Sequence, residues 1–236
     1  MQMTTRQILM FVLAMLLPAA AWADFAPTAY YTVDGVAMET TDAITDAQAP
    51  LHVTFRANPS HIDEGTEVSY EWRFVRDGST DAYITRYEET TDYEFTESGT
   101  THVSLYVTYA NTAGGGADGG TTDPELVATI NVSISTSILE MPNAFSPNGD
   151  GINDIYKAKA THKSIVDFKA YIFNRWGQKL YEWNNIDGGW DGTYHGSPVK
   201  AGVYFVLVKA RGADGVEYEI KRDVNLLRDY LEEGSY

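Results

Sequence analysis

Residues Ser146-Pro-Asn148-Gly-Asp150-Gly151-Ile-Asn153-Asp154 have the composition of a calcium loop. With Ser146 at position 1 of a twelve-residue loop, Asn148 falls at 3, Asp150 at 5, Gly151 at 6 and Asp154 at 9, so hard oxygen ligands surround a sharp turn. Position 12 needs a bidentate glutamate and holds Lys157. Asn148, Asp150 and Asp154 are therefore candidate calcium ligands of an incomplete site. The competing reading is an Asx-rich turn, in which Asn148, Asp150 and Asn153 accept hydrogen bonds from nearby backbone N–H groups. The absent glutamate favours the turn, and no other cofactor is indicated.

Catalytic chemistry finds less support. The five histidines (His52, His61, His102, His162 and His195) are scattered, with no two at metal-ligand spacing. There is no His-Glu-x-x-His, no Gly-x-Ser-x-Gly and no phosphate-binding glycine loop. Among 33 carboxylates some pair must lie close by chance, yet nothing singles out a glycosidase pair. A non-catalytic role is expected. Tyr30, Tyr31 and Tyr106 could contact carbohydrate or protein, against the plainer reading of β-forming surface tyrosines.

The elements that must position these residues follow from composition and periodicity. The chain has 236 residues, 17 Lys+Arg against 33 Asp+Glu, a formal charge of −16 and no cysteine. The charge argues against a nucleic-acid partner. The missing cysteine excludes disulfides, thiolate metal sites and a lipidated N-terminal cysteine. Residues 1–23 read as a secretory signal: Arg6 is followed by the apolar run Ile8–Leu17, then Pro18 and Ala21-Trp22-Ala23, which places cleavage between Ala23 and Asp24. That run is ten residues long, and a bilayer span needs roughly 20.

Charge divides the rest. Residues 24–139 carry 19 acidic and four basic residues, all arginine, whereas residues 140–236 carry 14 acidic and 12 basic ones. Two domains with different surfaces are expected, with no long linker between them. In the first half Leu51/Val53/Phe55, Val68/Tyr70/Trp72/Phe74, Val103/Leu105/Val107 and Ile130/Val132/Ile134 alternate with polar residues, each reading as a strand with one buried face. Turn residues separate them, including a glycine-rich run from Gly114 to Gly120 expected to be a flexible hairpin loop. In the second half, Phe168–Phe173 and Gln178–Trp183 flank Asn174-Arg175-Trp176-Gly177, which suits a tight reversal. Val203–Val208 is apolar on both faces, as expected of a central strand packed on two sides. Gly189, Gly192 and Gly202 are expected at turns with positive φ.

Two resemblances emerge from these residues. Phe55-Arg-Ala-Asn-Pro, Tyr70-Glu-Trp-Arg-Phe, Tyr93-Glu-Phe-Thr-Glu-Ser-Gly and Val103-Ser-Leu-Tyr-Val-Thr resemble a polycystic-kidney-disease-type (PKD-like) Ig sandwich over roughly residues 50–135. Trp72 matches that family's core tryptophan, while Val75-Arg76-Asp77-Gly78 replaces its Gly-Asp-Gly. In the second half, Pro142-Asn-Ala-Phe-Ser-Pro-Asn-Gly-Asp-Gly-Ile-Asn-Asp154, Ile172-Phe-Asn-Arg-Trp-Gly177 with Lys179-Leu-Tyr181, and Gly189-Trp-Asp-Gly192 with Ala201-Gly-Val-Tyr-Phe205 occur in order. They resemble the gliding-motility-associated C-terminal domain, the type B sorting signal of the Bacteroidetes type IX secretion system.

The combined expectation is an all-β protein of two consecutive small antiparallel β-sandwich (Ig-like) domains after a signal peptide, divided as 1–23, 24–139 and 140–236. The resemblance implies export by the type IX machinery to the cell surface, in association with the outer membrane. Residues Asn174, Arg175, Trp176 and Gly177 would present a recognition tip, and a PorP/SprF-type outer-membrane protein would be a partner. For Trp176 and Trp190, core burial is the plainer reading, with Arg175 laid over an aromatic. Two alternatives stay open: a secreted enzyme or inhibitor with a site in residues 24–139, and a component of the gliding or secretion apparatus.

Overall fold

The computed structural model describes residues 24–111 and 121–228. The expected signal segment through Ala23 and the glycine-rich run from Gly114 to Gly120 lie outside the described residues. In chain order the strands of the first half are β1 (Asp24–Phe25), β2 (Thr28–Val33), β3 (Val36–Thr40), β4 (Ala43–Ala47), β5 (Leu51–Arg56), β6 (Pro59–Ser60), β7 (Thr66–Arg76), β8 (Ala82–Arg86), β9 (Thr90–Phe95), β10 (Gly99–Asn111) and β11 (Glu125–Ile134). Those of the second half are β12 (Ala144–Phe145), β13 (Ile165–Phe173), β14 (Lys179–Trp183), β15 (Thr193–Tyr194), β16 (Ser197–Pro198), β17 (Gly202–Gly212) and β18 (Glu217–Leu226).

The first half packs a four-stranded sheet, β3-β2-β5-β9, against a five-stranded one, β4-β11-β10-β7-β8. The alternating residues decide the layering. Val53 and Phe55 from one sheet meet Trp72, Phe74, Val103, Leu105, Ile130 and Val132 from the other, all fully buried. Phe55 sits at the centre, with ring centroids 5.8 Å from Trp72 and 5.7 Å from Phe74. The Trp72 indole N–H would be costly to bury unpaired, and it donates to the Glu88 carbonyl at 3.1 Å. Strands β10 and β11 pair antiparallel up to the Ala110–Thr121 bridge, so the glycine-rich run joins neighbouring strands.

The second half is built on one five-stranded sheet, β12-β18-β17-β13-β14. The layer over its inner face is the short hairpin β15–β16 together with the extended segments that carry Tyr156 and Trp190. Most pairs are antiparallel, while β4–β11 and β12–β18 add one parallel edge pair to each large sheet. Central strand β17 departs from the expectation of two packed faces. Val206, Val208 and Ala210 are buried, but Val203 and Phe205 are each 45% exposed. Only one layer covers the sheet, so the other side of an apolar strand is left facing outward.

The two cores meet at a polar seam. Buried Ser164 receives the Ala49 N–H on its Oγ at 3.2 Å and lies 2.9 Å from Ser135 Oγ. Asp214 accepts from Ser137 N–H at 2.9 Å and from Ser137 Oγ at 2.7 Å, and Ala213 packs into the first core.

Candidate functional site

The β13–β14 hairpin carries Asn174, Arg175, Trp176 and Gly177 at its reversal, and the side chain of Asn174 builds the turn. Its Oδ1 accepts from the Trp176 and Gln178 N–H groups, both at 3.0 Å, and its Nδ2 donates to Gln178 Oε1 at 3.0 Å. Gly177 closes the turn at φ +79°, a conformation that costs a residue with a Cβ about 1–2 kcal/mol. The turn holds Trp176 outward at 81% exposure, contrary to the expectation of core burial. Inner-face places are already filled from other elements, and a turn tip has no layer above it. Arg175 does lie over an aromatic: its Cζ is 5.3 Å from the Trp176 ring centroid.

Beside this turn lies a recess of about 440 Å³, bounded across from it by Val199, Lys200, Val203 and Tyr204. The Tyr204 hydroxyl donates to the Lys200 carbonyl at 2.7 Å. Arg228 ties the same segment down through Val199 O at 2.8 Å and Gly192 O at 2.7 Å. Both walls of the recess are therefore fixed by hydrogen bonds.

Trp190 takes the core position. It is fully buried, its ring centroid is 5.3 Å from Phe145 and 5.2 Å from Tyr204, and its indole N–H donates to Thr193 O at 2.8 Å. Its backbone exchanges two hydrogen bonds with Tyr156, at 2.8 and 2.9 Å. That exchange explains Gly189, for which the expected positive φ is not found. A Cβ there would stand 2.6 Å from the Tyr156 carbonyl oxygen, so the glycine serves close backbone approach. Gly192 and Gly202 do have positive φ, +78° and +146°.

In the Ser146–Asp154 loop the side-chain oxygens turn inward. Asp154 accepts from Gly149 N–H at 2.7 Å and Gly151 N–H at 2.8 Å, one on each carboxylate oxygen. Those backbone donors hold its carboxyl below the usual range. Asp150 accepts from Ile152 N–H at 2.8 Å and from Asn148 Nδ2 at 2.8 Å. Asn148 Oδ1 accepts from Asp150 N–H at 3.1 Å. This is the arrangement of an Asx turn, with Gly149 and Gly151 at φ +84° and +86°. A cation would have to compete with these backbone amides for the same oxygens.

Asp24, the residue expected after signal cleavage, opens β1 and pairs with Ser60. Tyr106 lies under Arg73, whose Cζ is 4.0 Å from the ring centroid, and Arg56 stands 5.0 Å from the Tyr30 centroid. Those two tyrosine faces are occupied by the chain's own guanidinium groups. The sequence reading missed the outward set Tyr171, Phe173, Phe205 and Leu207. Its signal was present in the lysines that take over the same face further along, Lys169 on β13 and Lys209 on β17.

Residues 139–222 match the family model of the CHU_C Type IX secretion signal domain. No curated protein matches the chain. Among solved structures, the FN1–FN3 domains of chicken CNTN1 are similar at 12% identity, over 82% of this chain and 68% of that chain, with a TM-score of 0.27. The family match supports a type IX secretion signal in residues 139–222 and, with it, export to the outside of the cell.

Proposed function

We propose that this protein is a non-catalytic cell-surface protein whose acidic first half is the passenger and whose second half, a type IX secretion signal, delivers it. The carrying observation is the pairing of the matched region with a hydrogen-bonded turn that holds Trp176 outward. A tryptophan kept in water by its own turn lowers no folding free energy through burial, which supports a role in recognition. The first half carries a net −15 by its 19 acidic and four basic residues, and it binds or spaces a target outside the cell while resisting self-association. The protein stays associated with the outer membrane through a PorP/SprF-type partner.

Deletion of residues 140–236 tests this reading. The truncated protein is expected to accumulate in the periplasm, measured by fractionation and by protease accessibility on intact cells. Surface display of the truncated protein would refute the assignment.

A further inference from the structure

The recess between the Asn174–Gly177 turn and the Val199–Tyr204 segment has an electrostatic character opposite to the chain as a whole. The chain carries 33 acidic against 17 basic residues, yet this recess is lined by Arg175 and Lys200 with no carboxylate among its lining residues. Among the described residues neither cation takes part in an ion pair. Two other lysines of this half are paired: Lys179 is held by Glu182 at 2.6 Å and Lys221 by Glu219 at 2.6 Å. Apolar surface adjoins the two cations. Trp176 is 81% exposed and Val203 45% exposed, and Val199 and Tyr204 also line the recess.

The geometry points to this recess as the docking site for a carboxylate-bearing protein loop with an apolar side chain beside the carboxylate. The inference rests on the sorting reading above and names the chemistry of the partner surface. Arg175, whose Cζ lies 5.3 Å from the Trp176 ring centroid, offers a positive charge for a carboxylate beside an aromatic face. Lys200 adds a second positive charge across the recess, and Trp176 and Val203 supply the desolvated anchor that such interfaces need. The walls are set before binding by the Asn174, Tyr204 and Arg228 hydrogen bonds, so docking orders little backbone.

The test is surface export of the full-length chain carrying Arg175→Glu with Lys200→Glu, alongside Arg175→Lys with Lys200→Arg and a control, Lys169→Glu with Lys209→Glu. Melting temperatures of the purified proteins verify folding, and Arg175→Gln with Lys200→Gln replaces the reversal pair if that pair unfolds. The reversal pair is expected to lower the surface fraction about ten-fold or more, with the conservative pair and the control near wild type. Wild-type export of the reversal pair, in a strain where deletion of residues 140–236 blocks export, overturns the inference and leaves the sorting reading standing. Export of the deletion variant is a separate result and removes the sorting reading itself. Equal loss in the conservative pair or the control overturns the inference, because charge at this recess would not be the determinant. Sedimentation of the wild-type chain with phosphatidylglycerol vesicles, abolished by the reversal pair, would assign the recess to a lipid surface and also overturn it.

Discussion

Trp190 and Trp176 divide structural and recognition work between two side chains of one type. Trp190 is enclosed by Phe145 and Tyr204 and satisfied at its indole N–H, so its removal leaves a cavity and an unpaired carbonyl at Thr193. Trp190→Ala is expected to cost about 3–5 kcal/mol in chemical denaturation. Trp176→Ala removes a side chain that is 81% exposed and should change stability by no more than about 0.5 kcal/mol, while lowering surface export. Equal destabilisation by the two variants would contradict this division.

At the scale of elements, the cover of the second half depends on how closely the Gly188–Asp191 segment approaches the Tyr156 strand-like segment. Gly189 permits the paired Tyr156–Trp190 hydrogen bonds, and a methyl group would meet Ile155 Cγ2 and Tyr156 O, both at 2.6 Å. Gly189→Ala is expected to destabilise by about 1–3 kcal/mol through forced displacement. Gly196 in the β15–β16 turn has φ +77° and open space around it, so Gly196→Ala should cost only the conformational strain of about 1–2 kcal/mol. Hydrogen exchange separates the two cases. The first variant should expose the Tyr156 and Trp190 amides, and the second should leave them protected.

The strand pattern was legible in the sequence because alternation is a local property. Leu51, Val53 and Phe55, or Val103, Leu105 and Val107, face the core as their spacing demands. The same logic misled for Val203–Val208. Apolar residues on both faces record what a strand tolerates, and whether a second layer lies opposite is decided elsewhere in the chain. The Asn174–Gly177 reversal was legible from its residue types, but the outward direction of Trp176 was not.

For the whole molecule, the seam between the halves carries a consequence for acid stability. Asp214 is held below its ordinary pKa, first by the Ser137 hydroxyl and then by the backbone N–H groups of Ser137 and Val216. A carboxylate depressed in the folded state contributes stability that is fully present above its unfolded pKa and is lost as pH falls through the folded value. The contribution should therefore disappear below about pH 4. Calorimetry of the protein as a function of pH is expected to show an acid limb there, and Asp214→Asn should flatten it while lowering the melting temperature at neutral pH. An unchanged limb in that variant would mean that other carboxylates control it.

What the sequence determined by itself was the all-β class, the positions of most strands, the tryptophan at the first core and the sorting motifs in their order. Each depends on residues close in the chain, where side-chain alternation and turn chemistry act directly. Tertiary structure decided which tryptophan is buried, which face of β17 stays open, that Asp154 turns both oxygens onto Gly149 and Gly151, and that Ser137 meets Asp214 across 77 residues of chain. Burial and hydrogen-bond pairing at these places depend on which distant segment arrives to cover them, and local spacing carries no record of that arrival.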